Sequence, residues 1–224
     1  MGFANFIGPN KLSSLIFHTE SNQALIATDT LAVQPSGTPA FFTSKAFLVP
    51  HLRFVIAGTG LAGFATRWFV RVNDQMLVRG IDNLDFHTSS ELRNLWKVYS
   101  EEVSNTINMT STIYHIGFSE EDDLVRTYVY RSEKEFESEV LDYGLAVKPR
   151  CTVPEQYSLP NDLISMMDEQ RTIQESEPEE QRIYIGGEIV AIHLTLAGAT
   201  VSHISRFSDY DADLASMWHS YQRG

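Results

Sequence analysis

The stretch from Ser13 to Gly63 constrains the fold of this chain most, because short apolar runs alternate there with turns. Two apolar runs, 14–18 and 24–27, flank five polar residues, which predicts a β-hairpin with a short loop. Asp29 follows at the far end of the second run. The chain is therefore expected to enter a sheet at Ser13.

A second pair of apolar runs, 40–49 and 52–57, follows a loop rich in proline and glycine. Pro50-His51 joins the two runs, which predicts a second hairpin. Lys45 lies inside the first run. Burial of an ammonium group is costly unless it is paired, and Asp29 is the partner that the sequence suggests.

The second hairpin ends at Gly58 and Gly60. Apolar residues at helical spacing follow from Leu61 onwards, which predicts that the strand leads through these glycines into a helix. A strand that passes through glycines into a helix lets the backbone approach a ligand or supply an oxyanion donor. The alternative is a tight structural turn. Residues 58–63 also match GxGxxG, but the preceding hairpins do not open a βαβ unit, so a dinucleotide site is rejected.

This organisation resembles the N-terminal half of proteasome β-type subunits, which are N-terminal-nucleophile hydrolases. The resemblance places the nucleophile at the start of the first strand, an aspartate sixteen residues later and a lysine sixteen residues after that. It also implies a glycine that donates to the oxyanion. The positions that match are Ser13, Asp29, Lys45 and Gly58.

In the family a leader is removed, and here residues 1–12 would be that leader. Removal matters because the new α-amino group, with a pKa of about 8, can act as general base for its own hydroxyl. The family usually has Gly followed by Thr at the junction, whereas this chain has Leu12 and Ser13. Arg182 and Ile185 stand where the family has a supporting Asp and Ser.

The rest of the chain continues the alternation of helices and strands. We expect a helix from Gly60 to about Leu77, a second helix from the capping box at 88–91, and a hairpin around the acidic tip 119–123. A third helix near 161–173, a strand pair at 182–207 and a C-terminal helix complete the order. This order predicts one α+β domain over residues 13–224, folded as a four-layer α/β/β/α sandwich.

Composition excludes several classes of function. The net charge of −12 would repel phosphate backbones, so we expect no nucleic-acid partner. No apolar segment is long enough to span a bilayer, and no secretory signal is recognisable, so we expect a cytoplasmic protein without a membrane partner. The single cysteine, Cys151, is consistent with a reducing compartment.

No metal or cofactor is expected. The seven histidines show no HxxxH or HxH spacing. The acidic tip 119–123 lacks the alternation and the glycine of a calcium loop, so a solvated turn is the better interpretation.

Two hypotheses for function follow. In the first, the protein hydrolyses amide or peptide bonds after exposure of Ser13, with Lys45 as electrostatic activator, Asp29 orienting Lys45 and Gly58 as oxyanion donor. In the second, the chain is an inactive subunit of the same fold that self-assembles or binds a partner, which the residues at 182 and 185 favour. The resemblance implies a homo-oligomer in either case.

Overall fold

The computed structural model describes residues 13–34, 36–102 and 109–223. The predicted leader, residues 1–12, lies outside them. Over these ranges the chain has twelve strands and four α-helices, which confirms the α+β class. None of the helices in these ranges is long and apolar enough to cross a membrane.

The strands, in chain order, are β1 Leu15–Thr19, β2 Gln23–Asp29, β3 Leu31–Val33, β4 Pro39–Phe42, β5 Ala46–Val49, β6 Phe54–Gly60, β7 Ser111–Phe118, β8 Val125–Arg131, β9 Ser138–Val140, β10 Gly144–Lys148, β11 Glu188–Thr195 and β12 Gly198–Arg206. The helices are α1 Phe64–Gln75, α2 Ile81–Glu102, α3 Leu163–Glu175 and α4 Tyr210–Arg223.

Ten of the strands form two five-stranded antiparallel sheets. The first sheet has the order β10-β1-β2-β11-β12, and the second has the order β5-β6-β7-β8-β9. The predicted first hairpin is the β1–β2 pair, in which Leu15 lies opposite Thr28. The predicted second hairpin is the β5–β6 pair, in which Ala46 lies opposite Ala57.

Alternation along β6 shows how the core is divided, because successive side chains of a strand point to opposite faces. Val55 and Ala57 join an apolar cluster that includes Leu15 and Phe17 of the first sheet. The side chain of Ile56, which lies between them, points to the other face and belongs to an apolar cluster formed with residues of α1 and α2. The second sheet therefore has apolar contacts on both faces.

The other face of the first sheet packs against α3. Ile16 and Ala27 share an apolar cluster there with Leu163, Met166 and Met167, all of which are buried. Met166 and Met167 follow Leu163 at i+3 and i+4, so these three side chains of α3 lie on one helical face.

Two expectations about element boundaries are wrong. The run 40–49 is not one strand, because β3 and β4 form a separate two-stranded ribbon and only 46–49 joins the second sheet. This ribbon is held by stacking of Phe42 on Tyr210 of α4, with ring centroids 4.7 Å apart. Lys45 thus lies immediately before β5 rather than inside a strand.

The second helix begins at Ile81 and not at the capping box that starts with Thr88. The carboxylate of Glu120 accepts hydrogen bonds from the amides of Asp82 and Asn83 at 3.0 and 2.7 Å. A distant side chain therefore caps the helix. The Thr88 hydroxyl instead donates to the carbonyl of Leu84 inside the helix.

Candidate functional site

Asp29 lies at the end of β2, where its carboxylate is completely buried. Its Oδ1 accepts from the Lys45 Nζ at 2.7 Å and from the backbone amide of Ser14 at 2.9 Å. Its Oδ2 accepts from the backbone amide of Gly186 at 3.2 Å. These donors fix the carboxylate between the start of β1 and the segment before β11, and hydrogen bonds to an ionised group are stronger than neutral ones.

Lys45 connects the two sheets at this end of the molecule. Its side chain is 6% exposed, and that of Asp29 is 0% exposed, so the ion pair is dry. Burial lowers the pKa of Lys45, and the charge and hydrogen bond of Asp29 oppose that shift. The ammonium group is thereby held at a fixed place with a weakened hold on its proton.

Ser13 is the second residue before β1, and it is 3% exposed. Its backbone has a φ of +114°, which is a strained conformation for a residue with a Cβ atom. The next residue, Ser14, is anchored by a hydrogen bond from its hydroxyl to the side chain of Gln170 in α3. Gln170 also donates to the carbonyl of Pro149, so helix α3 helps to fix the start of β1.

A cavity of about 970 Å³ joins the predicted residues. Ser13, Lys45 and Gly58 all line it, whereas Asp29 lies behind Lys45. The structure therefore brings the four sequence-predicted positions to one end of the two sheets. The roles assigned to them stay predictions.

The wall of this cavity is mostly apolar. The large apolar side chains that line it come from the β3–β4 ribbon, β5, the segment before α1 and both of the first two helices: Phe41, Phe47, Leu61, Val70, Leu95 and Val98. Two cationic side chains of α1 also reach the cavity, but each is paired with α2. Arg71 bonds Glu91 at 3.0 Å and Arg67 bonds Glu102 at 2.5 Å, so the cavity carries little net charge.

Gly58 has a structural reason to be glycine. A Cβ atom at this position would lie 2.3 Å from the Cβ of Ala65 in α1. Its amide donates to the carbonyl of Lys45 at 3.1 Å and closes the end of the β5–β6 pair. The predicted oxyanion donor is thus already engaged in this structure.

Neither histidine near these elements is positioned to act as a base for Ser13. His18 lines a different cavity, on the face of the first sheet that carries α3. His115 is fully buried beside α1, where its Nε2 accepts from the Trp68 indole at 2.8 Å. Burial lowers the pKa of His115 to about 3. Among the described residues that line the cavity of Ser13 there is no histidine and no cysteine.

The two positions that depart from the expected pattern have structural roles. Arg182 donates from its Nη2 to the carbonyl of Glu175, the last residue of α3, and to that of Glu177. Ile185 belongs to the apolar cluster under α3. Neither side chain supplies the carboxylate or the hydroxyl that the family resemblance implies at these two positions. Sequence reasoning missed Gln170, because nothing in a helical pattern shows that one polar residue faces a distant strand.

Among the described residues, no group of three or more His, Cys, Asp or Glu side chains is placed to hold a metal ion.

The fold and the site together define an α+β protein with paired antiparallel sheets and an ion pair beside a buried serine. Solved structures of Anbu proteins share this fold. The chain aligns with "Helical Assembly of the Anbu Complex from Pseudomonas aeruginosa" at a TM-score of 0.62 and 10% identity, over 94% of each chain. It aligns with "Anbu (ancestral beta-subunit) from Yersinia bercovieri" at 0.57 and 10% identity, again over 94% of each chain.

These comparisons correct the family resemblance drawn from the sequence. The identification as a proteasome β-type subunit is wrong, because the matching structures described above are Anbu proteins. No protein-family model and no curated protein sequence matches this chain. At 10% identity the likeness concerns the fold alone, which is proteasome-like in the broad sense.

Proposed function

We propose that this protein hydrolyses amide bonds, with Ser13 as an amino-terminal nucleophile after cleavage of the Leu12–Ser13 bond. The observation that supports this most is the dry Lys45–Asp29 pair close to a buried serine, with Lys45 and Ser13 lining the same mostly apolar cavity. A fixed cation next to a hydroxyl stabilises the alkoxide that attacks a carbonyl. The charged pair is costly to bury, so a catalytic role accounts for it better than stability does.

The general base in this proposal is the α-amino group of Ser13 itself. Among the described residues that line the cavity, the carboxylate of Glu91 is bonded to Arg71, and no histidine is present. A free α-amine has a pKa of about 8 and lies within reach of its own side chain. Cleavage before Ser13 would create this base, and the positive φ of Ser13 supplies strain that the cleavage would release.

The reaction then has two steps. The Ser13 Oγ forms a bond to the substrate carbonyl carbon while its proton passes to the α-amine and the carbonyl oxygen becomes an oxyanion. The oxyanion reforms the carbonyl as the C–N bond breaks, and the leaving amine takes the proton, which leaves an ester on Ser13. Water hydrolyses the ester and restores the hydroxyl. Lys45 stabilises the charge on Oγ, and Asp29 positions Lys45.

The substrate that the cavity favours carries a large apolar group on the acyl side of the bond. Phe41, Phe47 and Val70 would contact that group, and the arginines of the wall are already paired with glutamates. Burial of one large apolar side chain contributes about 1.5–3 kcal/mol to binding.

We also propose the finer features of the fold. The apolar clusters on both faces of each sheet support a four-layer α/β/β/α arrangement over a single domain, 13–224. A homo-oligomer in the cytoplasm is the proposed state. The helical assembly of the Anbu complex from Pseudomonas aeruginosa supports the oligomer, and the single cysteine of the chain supports the compartment.

Self-assembly without catalysis is the second candidate. It is favoured by the structural use of Arg182 and Ile185 and by the engaged amide of Gly58. In this case the ion pair would serve the fold only.

Intact mass spectrometry of the full chain tests the two candidates. The hydrolase predicts loss of residues 1–12, and Ser13→Ala should abolish both this loss and the hydrolysis of peptide amides. Ser44→Ala is the matched control, because Ser44 lines the same cavity on the surface and should leave both intact. Unchanged leader removal in Ser13→Ala would contradict the autocatalytic mechanism, and a leader that persists in the parent chain would favour the assembly candidate.

A further inference from the structure

A second lysine, Lys148, lies beside the start of β1. It is the last residue of β10, and it pairs with Leu15 of β1 in the antiparallel register. Directly opposed residues place their side chains on the same face of a sheet, with Cβ atoms about 4.5–5.5 Å apart. Leu15 belongs to the apolar cluster between the two sheets, so Lys148 also points between the sheets, close to Ser13.

The side chain of Lys148 reaches the second sheet next to the cavity of Ser13. Its Nζ donates to the hydroxyl of Thr112 in β7 at 3.2 Å. Thr112 lies opposite Thr59 of β6, and Thr59 lines the cavity. Ser111, which precedes Thr112, lines the cavity as well. The ammonium group is therefore bonded to a direct neighbour of two residues of the cavity wall.

The two lysines lie on opposite sides of Ser13. In the first sheet, β1 has β2 on one side and β10 on the other, and in the second sheet β6 separates β5 from β7. Lys45 bonds Asp29 at the end of β2 and lies immediately before β5, whereas Lys148 belongs to β10 and bonds to β7. The large apolar side chains of the cavity come from the β3–β4 ribbon, β5, α1 and α2, on the side of Lys45. An amide whose acyl group fills this apolar part would direct its leaving group towards Lys148.

The fold does not neutralise the charge of Lys148. Within the described ranges its Nζ bonds a neutral hydroxyl and forms no ion pair, in contrast to Lys45, which lies 2.7 Å from a carboxylate oxygen. Desolvation of the ammonium end lowers the pKa of Lys148, the charge of Glu133 opposes this shift, and that of Arg131 adds to it. The side chain as a whole is exposed, so a ligand can reach it. A bound carboxylate would offset the desolvation of the ammonium group.

A second polar group at this place also lacks a partner. The Thr59 hydroxyl is buried and has no hydrogen-bond partner among the described residues. Its side chain points between the sheets, like that of Ala57 two residues earlier, and so lies on the same face as the Thr112 hydroxyl. Buried polar groups without a partner are costly and point to a ligand. A hydroxyl and an ammonium group can both donate to a carboxylate.

We propose that Lys148 binds a carboxylate on the leaving group of the substrate, so that the preferred substrates are amides with an apolar acyl side and an acidic amine side. This inference rests on the proposed function. The carboxylate is either the end of a peptide whose last residue is the leaving group, or an acidic side chain of the leaving group. Contacts on both sides of the scissile bond would hold its carbonyl against Ser13.

Rates of peptide hydrolysis test the assignment on protein whose Leu12–Ser13 bond is cleaved, by itself or at a protease site placed before Ser13. The acidic probes are N-acetyl-leucyl-glycine, with a terminal carboxylate, and N-acetyl-leucyl-aspartic acid α-amide, with a side-chain carboxylate. Their neutral matches are the glycinamide and the asparagine amide. Lys148→Met keeps the apolar stem, and Lys148→Arg keeps the charge. Lys134→Met is the matched control, because it removes an exposed lysine that pairs with Glu139 just after β8.

Mass spectrometry of the released acetyl-leucine gives kcat/KM for each probe. For at least one acidic probe the parent should exceed the neutral match about 10- to 100-fold, as expected for one hydrogen bond to a charged group. Lys148→Met should lower this ratio below about threefold by raising KM for the acidic probe, with the neutral probe unchanged. Lys148→Arg and Lys134→Met should keep the ratio. The acidic probe that is preferred identifies the source of the carboxylate.

Two results would overturn the assignment and leave the hydrolase intact. One is equal kcat/KM for the acidic and neutral probes in the parent, and the other is a preference for the acidic probe that survives in Lys148→Met. If the parent hydrolyses none of the probes and forms no acyl ester on Ser13, the proposed function fails, and the assignment fails with it.

Discussion

Replacement of Lys45 by methionine should be one of the most destabilising single changes in the chain. Methionine keeps most of the apolar stem and removes the charge, so Asp29 is left as a completely buried carboxylate with only backbone donors. Loss of one partner from a buried pair costs about 3–5 kcal/mol in other proteins. The 2.7 Å contact and the 6% and 0% exposures place this pair in that class.

The free energy of unfolding is measured by urea titration at pH 7, followed by tryptophan fluorescence. The loss of about 3–5 kcal/mol would lower the midpoint temperature by about 6–20 °C for a chain of this size. The m-value should be unchanged, because the same surface is exposed on unfolding. Arg71→Met is the matched control, since it breaks the half-exposed pair with Glu91 and should cost about 0–1 kcal/mol.

A double substitution separates the lost charge pair from lost packing. Asn at position 29 carries no charge and keeps an oxygen for one of the two backbone amides, those of Ser14 and Gly186, while its NH2 group replaces the other oxygen. Lys45→Met combined with Asp29→Asn should therefore be more stable than Lys45→Met alone, by about 1–2 kcal/mol. A loss below about 1 kcal/mol in Lys45→Met, or strict additivity of the two changes, would refute the argument that an uncompensated buried charge sets the cost.

Two further changes test parts of the fold that hold the site. In the unfolded chain His115 takes up a proton below about pH 6.5, whereas in the folded chain it does so only near its pKa of about 3. The stability that the neutral imidazole contributes is therefore complete above pH 6.5 and is lost as the pH falls towards 3. Between pH 7 and pH 5 the free energy of unfolding of the parent should fall by on the order of 2 kcal/mol more than that of His115→Gln. Urea unfolding at both pH values measures this difference, and equal losses would contradict a buried neutral imidazole. Glu120→Gln keeps an acceptor for the amides of Asp82 and Asn83 but removes the negative charge at the start of α2. Thermal unfolding at pH 7 should show a loss of about 0.5–1 kcal/mol in the free energy of unfolding, and this loss should become smaller in high salt. A salt-independent loss would count against the electrostatic part of this cap.

The hairpins around Ser13 and Lys45 were predictable because their signals are local. Short apolar runs separated by turn residues indicate the β1–β2 and β5–β6 pairs, and the glycines before α1 mark the exit from the sheet. The approach of Lys45 to Asp29 was also predictable, since a lysine in an apolar run needs a partner. These inferences depend on residues within about one hairpin of each other.

The contacts that sequence reasoning missed join distant parts of the chain. The start of α2 is set by Glu120, which lies in the turn between β7 and β8. The start of β1 is fixed by Gln170, which lies 156 residues further along the chain than Ser14. Both partners are ordinary polar residues within their own segments, so only the packing of the segments shows what they do.

The predicted oxyanion donor, the amide of Gly58, also depends on a contact that the sequence does not show. Spacing alone selected Gly58, because the strand and its glycine follow Lys45 at close to the expected interval. Whether an amide faces a neighbouring strand or an open cavity depends on where that neighbour ends, and the amide of Gly58 is still bonded to the carbonyl of Lys45 at the end of the β5–β6 pair. Since the only base proposed for Ser13 is its own α-amine, the proposed hydrolase requires cleavage of the Leu12–Ser13 bond. A chain that keeps its leader would leave the ion pair of Lys45 and Asp29 with a purely structural role.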